Sequence, residues 1–194
     1  ETNYMVNDML DLMFVASFGN WKFDGDANGN YQETEYNSEG QAVGYTTTEY
    51  AYALDGLYVG DMPQTSYVLG VTLKPIKDLR IQAIHKMYDK NYSDWSPSAR
   101  EFDGTNDDAD RAQVWEAPSY NRLDLHMSYK LPKVKDLDMM LTANIFNVLD
   151  EVYVQDAVDN SQYNGYGSKQ HLPHNAEVFL GTPRYANIGL SIGF

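Results

Sequence analysis

Residues 119–131 alternate without a break. Leu123, Leu125, Met127, Tyr129 and Leu131 interleave with Arg122, Asp124, His126, Ser128 and Lys130. A period of two places one set on each face of a β-strand, so one face is wholly apolar and the other polar or charged. The pattern recurs. Leu79, Ile81, Ala83 and Met87 oppose Arg80, Gln82, Lys86 and Tyr88, and Leu137, Met139, Leu141, Ala143 and Ile145 oppose Asp138, Thr142 and Asn144. Ala186, Ile188, Leu190, Ile192 and Phe194 alternate with Asn187, Gly189, Ser191 and Gly193. Thr65, Tyr67, Leu69, Val71 and Leu73 share a face, and residues 8–23 give a less regular sixth strand. An all-β, antiparallel chain is the fold class these segments predict.

The connections between those strands come in two kinds. Lys74-Pro75-Ile76-Lys77-Asp78 and Pro132-Lys133-Val134-Lys135-Asp136 are short and form a weak internal repeat, each leading into a strand. The stretches at about 24–63, 93–118 and 148–183 are long and rich in Gly, Asn, Asp, Ser and Tyr. Short and long alternate strictly. A secreted β-sandwich with one solvated face would share the residue alternation, but has no reason to sort its connections. An outer-membrane β-barrel does, with short periplasmic turns and long extracellular loops. Unstructured connections of this length argue against a compact soluble domain and are expected in a large barrel.

Charge follows the same division. The net charge is −14, from 28 Asp and Glu against 14 Lys and Arg. Lys74, Lys77, Arg80, Lys130, Lys133 and Lys135 sit in or beside the two short turns, whereas 24–63 holds eight acidic residues and no basic one. So acidic a chain lacks the basic face that phosphate binding needs, so nucleic acid is not an expected partner. No apolar run of ~18 residues is present to form a membrane helix. The absence of Cys excludes a disulfide framework and a thiolate metal site. Glu1-Thr2-Asn3-Tyr4-Met5 has neither the basic nor the apolar region of a signal peptide, so the chain is expected to begin inside something longer or after processing.

Candidate sites lie in the long connections. Asp24-Gly25-Asp26-Ala27-Asn28-Gly29-Asn30 through Glu35 fits the spacing of a Ca²⁺ loop. Asp24, Asp26 and Asn28 would give side-chain oxygens, Asn30 a carbonyl and Glu35 a bidentate carboxylate, the hard donors Ca²⁺ takes. The competing reading is an Asx- and Gly-rich loop tip. The acidic run 103–110 lacks that spacing, and His171 with His174 implies no further ligand, so both read as loop features. Aromatic rings can stack on sugars or flat ligands. Tyr92 and Tyr120 fall at strand ends and read as rim residues, leaving Trp95, Trp115 and Tyr163 as ligand-binding candidates. No nucleophile elbow, zinc-protease motif or phosphate loop appears, so an enzyme is not expected.

The last strand, Arg184 to Phe194, resembles an outer-membrane insertion signal that ends on its terminal Phe194. The segment Asn144-Ile145-Phe146-Asn147-Val148-Leu149-Asp150-Glu151-Val152-Tyr153 resembles the Asn-Leu-Phe-Asn-x-x-Asp-x-x-Tyr segment of TonB-dependent receptors, with Ile145 where Leu is usual. Gly19-Asn20-Trp21-Lys22-Phe23-Asp24 resembles the Bacteroidota, SusC-like branch of that family. The resemblance implies that the chain is the last six strands of a 22-stranded barrel, with the plug domain and the TonB-binding segment lying elsewhere. It further implies active import of a nutrient, such as a glycan fragment, across the bacterial outer membrane. The implied partners are the TonB-ExbB-ExbD complex, a SusD-like surface lipoprotein, the barrel assembly machinery, and outer-membrane lipid with lipopolysaccharide. A siderophore or cobalamin receptor is the near alternative, and a surface adhesin or lectin-like module the distant one.

Overall fold

The computed structural model describes residues 1–95, 100–101, 111–159, 174 and 176–193. In chain order its strands are β1 (Thr2–Asn7), β2 (Leu10–Phe18), β3 (Ala27–Tyr36), β4 (Ala42–Tyr52), β5 (Thr65–Leu73), β6 (Leu79–Asp89) and β7 (Asn91–Tyr92). They continue as β8 (Asp94–Trp95), β9 (Glu116–Ala117), β10 (Tyr120–Lys130), β11 (Asp138–Phe146), β12 (Val154–Asp159), β13 (Ala176–Leu180) and β14 (Tyr185–Gly193).

The chain is all-β and antiparallel in its main sheet, whose seven strands follow the order β1-β2-β5-β6-β10-β11-β14. Each strand pairs with the next one of the sheet along the chain, so the sheet is an open antiparallel meander. Three tight turns lie at one end of it, after β1, β5 and β10; three long excursions lie at the other, after β2, β6 and β11. Two of the turns carry a residue with left-handed backbone, Asp78 at φ 65° and Lys135 at φ 55°. Asn7 closes the first by accepting a hydrogen bond from the Met9 amide at 2.8 Å.

Cross-strand register sorts the side chains by face. One row runs Tyr4, Leu12, Val71, Ala83, Leu125, Ile145, Ala186 across all seven strands, every member apolar. Its counterpart on the other face runs Met5, Asp11, Thr72, Gln82, His126, Asn144, Asn187. A register slip of one residue on any strand would mix the two rows. In the apolar row nearer the long excursions, His85 stands between Leu69 and Leu123 as an exception.

Among the described residues, nothing packs on the apolar face. Phe18 is 69 % exposed, Leu69 51 % and Ile188 80 %. Among the described residues, every buried apolar side chain (Ala53, Leu54, Leu57, Tyr92, Val114, Ala117, Tyr153, Ala157) belongs to the long excursions. Within the seven-stranded sheet only Thr72 and Asp124 have buried side chains, and both are polar. The core therefore sits in a cap formed by the excursions.

Two expectations are corrected. The N-terminal region gives two strands, with β1 preceding a β2 that stops at Phe18, so the sheet has seven strands where the sequence pattern suggests six. Thr2–Asn7 is a short edge strand paired on one side, too brief for periodicity to mark. The long connections also carry regular structure: the β3–β4 hairpin, the β7–β9 pair and a small sheet of β13, β12 and β8. These pair their own backbone groups in the cap, which satisfies donors that would otherwise be stranded there.

Candidate functional site

Gln64 holds the first excursion to the sheet. Its side-chain amide donates to the Trp21 carbonyl at 3.1 Å and accepts from the Trp21 amide at 2.6 Å, while its backbone amide donates to the Lys90 carbonyl at 3.0 Å. Gly60 lies against the second excursion, where a Cβ would meet the Ser93 and Asp94 backbone at 2.6–2.7 Å. The Asn91 side chain donates to the Gln155 carbonyl at 3.3 Å, and β8 runs parallel to β12, which ties in the third excursion. Tyr58 stacks flat on Tyr92 at 4.1 Å with Lys22 Nζ over its outer face. Burial, then the charge of Glu116, pushes the Tyr92 phenol well above its ordinary value. Tyr92 is thus a cap core residue, a correction to its reading as a rim residue.

The proposed Ca²⁺ ligands do not converge. Ala27–Tyr36 is a strand, which sets Asn28 and Glu35 seven extended residues apart, about 23 Å, and on opposite faces. Glu35 accepts a hydrogen bond from the Thr46 hydroxyl of the facing strand. Asp26 is used structurally: it takes both guanidinium arms of Arg111, at 2.7 and 3.0 Å, and the amides of Leu54 and Asp55 at 3.0 Å. The Arg111 hydrogen bond, then that from Asp55, lowers its carboxyl to about 2. Asp24 and Asn30 join neither arrangement, and no group of three or more His, Asp or Glu suited to a metal exists among the described residues. The twelve-residue loop is therefore corrected to the root and first strand of a hairpin.

Trp95 and Trp115 both reach the cap half-buried, and the Trp115 carbonyl accepts from the Ser93 amide at 2.9 Å. Trp95 meets Phe23 edge-on at 5.9 Å and tilts against Tyr52 at 6.3 Å. Tyr52 stacks on Tyr50 at 4.8 Å. Tyr163, His171, the run 103–110 and Phe194 lie outside the described residues.

Beneath the cap, the polar face carries a buried charge cluster. Asp124 accepts from Lys86 at 3.1 Å, from Arg122 at 3.4 Å and from the Asn147 amide at 2.9 Å. Arg122 also donates to the Tyr153 hydroxyl at 3.1 Å. The Tyr153 ring stacks on Tyr120 at 4.3 Å, and Tyr120 packs on Tyr88 at 5.0 Å. Tyr120 shares the parity of Arg122 and Asp124 and so points to the polar face, not to the outer rim. The outer rim is instead marked by Phe18 against Tyr67. Farther down, His126, Asn144 and Asn187 form a hydrogen-bonded ladder across three strands, each step 2.8 Å.

Asn147 and Asp150 have one shared job here. The Asn147 side chain donates to the carbonyls of Glu151 and Thr182 and accepts from the Glu151 amide, all within 3.2 Å. Asp150 accepts from the Arg184 amide at 3.1 Å and from its guanidinium at 3.4 Å. Together they fasten the start of the third excursion to the strand that ends it.

No family model and no curated protein matches the chain. Among solved structures, the chain is similar to the closed-form crystal structure of the ferric-catecholate import receptor Fiu from E. coli K12, at 15 % identity and a TM-score of 0.41. The match covers 98 % of this chain and 26 % of that one, so the chain spans about a quarter of that receptor's length.

Proposed function

We propose that the chain is part of the wall of an outer-membrane import receptor, energised through TonB, that takes up a nutrient such as a glycan fragment. One observation carries this reading. The sheet offers a continuous apolar face over seven strands with no core against it among the described residues, and all its long excursions lie at one end. A water-facing sheet would leave that apolar area exposed at a cost of roughly 25 cal/mol per Å²; in lipid the same face is satisfied. The two basic turns, after β5 and β10, and the acidic first excursion fit opposite sides of a membrane. Seven strands do not close a barrel, so further strands complete it. The acidic cap favours a neutral or cationic ligand over an anionic chelate.

Orientation tests the reading directly. Single cysteines are placed in the full-length receptor at Ser38, at the hairpin tip, and at Lys133, in a tight turn. A membrane-impermeant maleimide on intact cells should label position 38 and spare 133 until the outer membrane is opened. Labelling of 133 on intact cells, or recovery of the receptor in a detergent-free soluble fraction, would overturn the proposal.

A further inference from the structure

The β3–β4 hairpin has two faces of different character. Paired residues lie on the same face of an antiparallel ladder, so Ala27, Gly29, Tyr31, Glu33 and Glu35 share one face with Tyr52, Tyr50, Thr48, Thr46 and Gly44. On that face the ring of Tyr50 lies down on Gly29: a Cβ there would run into the Tyr50 hydroxyl and ring. Gly29 is what leaves room for the Tyr50 ring against the strand. Tyr52 continues the line towards the cap, where Trp95 and Phe23 back it. Tyr31, diagonal to Tyr50, continues it towards the tip and is 53 % exposed.

We propose that this strip, from Trp95 through Tyr52 and Tyr50 to Tyr31, is a binding platform for a neutral oligosaccharide. The apolar C–H faces of sugar rings stack on aromatic rings, and a row of rings suits a short chain rather than one ring. Thr46, Thr48, Glu33 and Glu35 border the strip with donors and acceptors for hydroxyls. Residues 24–63 hold no basic side chain, and Arg111, the cation at the root of the hairpin, is already held by Asp26, so an acidic sugar would meet net repulsion along the strip. The proposal rests on the import reading only for placing the hairpin outside the cell.

The full-length receptor in detergent is titrated by calorimetry with neutral hexasaccharides of glucose, mannose and xylose, and with hexagalacturonate. At least one neutral hexasaccharide should bind, and hexagalacturonate at least about tenfold more weakly. Tyr31→Ala should weaken binding about fivefold or more, Tyr31→Phe should retain it, and Gly29→Ala should weaken it by displacing Tyr50 with every aromatic ring still present. Tyr45→Ala, on the opposite face, should bind as the parent does. No binding of any neutral hexasaccharide, or equal losses for Tyr31→Ala and Tyr45→Ala, would overturn the platform. Surface labelling at position 38 without sugar binding refutes the platform alone; sugar binding by a receptor whose position 133 is labelled on intact cells refutes the import reading alone.

Discussion

Asn147 carries more of the structure than its size suggests. It is 1 % exposed, its backbone sits at φ 50°, and its side chain makes three hydrogen bonds. Asn tolerates that backbone region better than most residues. Alanine would lose all three bonds and leave two part-buried carbonyls and an amide unpaired. Asn147→Ala should therefore cost about 3 kcal/mol or more, read as a lower denaturant midpoint and faster proteolysis after Val148. Two carboxyls in the cap respond to pH in opposite directions. Burial, then the hydrogen bond and charge of Asp156, raises Asp61 from 3.8 to about 6. The residue is exposed to solvent, so the direction of the shift matters and not its size. A proton held more tightly in the folded state favours folding below the unfolded value of 3.8, and that advantage is lost as pH rises through about 6. Asp26, lowered to about 2, contributes stability above 3.8 that is lost as pH falls towards 2. Between about pH 5 and 7 only the first effect operates. Amide exchange across residues 59–63, corrected for intrinsic rates, should be slower at pH 5 than at pH 7, and Asp61→Asn should remove the difference. Equal protection at both values in the parent would refute this account.

At the scale of elements, the strands of the sheet were legible because a period of two survives wherever one face is apolar. Residues 119–131 give β10 almost residue for residue, and 65–73 give β5 without change. The cap was not legible for a physical reason. Its strands bury side chains against other excursions rather than against one continuous layer, so no period marks them. Asp24 to Glu35 shows the cost of local spacing alone. The same oxygens fit a metal loop as written, but the Thr46-Thr47-Thr48 run pairs with Gln32, Glu33 and Tyr31 and draws them into a strand. Tyr50 and Tyr52 beside Gly29 could have been noticed as a platform only once that pairing was known. The resemblance around Asn147, Asp150 and Tyr153 was visible in the sequence, whereas the clamp that Asn147 and Asp150 make on Glu151, Thr182 and Arg184 required coordinates. The β3–β4 ladder is self-contained, and Asn28 faces Ala51 across it. Replacing residues 29–50 by an Asn-Gly turn should leave the seven-stranded sheet assembled, because type I′ turns close such a pair. Heat-modifiable electrophoretic mobility should be retained while oligosaccharide binding is lost; failure of the shortened receptor to assemble would make the hairpin part of the fold.

For the whole molecule, the decisive quantity is which face of the sheet meets which solvent. A soluble sandwich would bury the row from Tyr4 to Ala186 and expose the row from Met5 to Asn187. The structure offers no second sheet for such burial among its described residues. It also places a ladder of polar groups, from Asp11 to Asn187, where a sandwich would need nothing so continuous. If lipid covers the apolar row, a charge there is penalised by depth, whereas a charge on the polar row meets water or other polar groups. Leu125 lies at the middle of β10, between Ala83 and Ile145. Leu125→Arg should cost about 2–4 kcal/mol at mid-bilayer, measured by reversible denaturant unfolding from lipid vesicles. Ser128→Arg, three residues along the same strand and on the opposite face, should cost much less. The pair controls for strand propensity and for the presence of Arg itself, so the difference reports the surroundings of each face. Equal costs would mean that the two faces see the same medium, and a larger cost at Ser128 would turn the wall inside out.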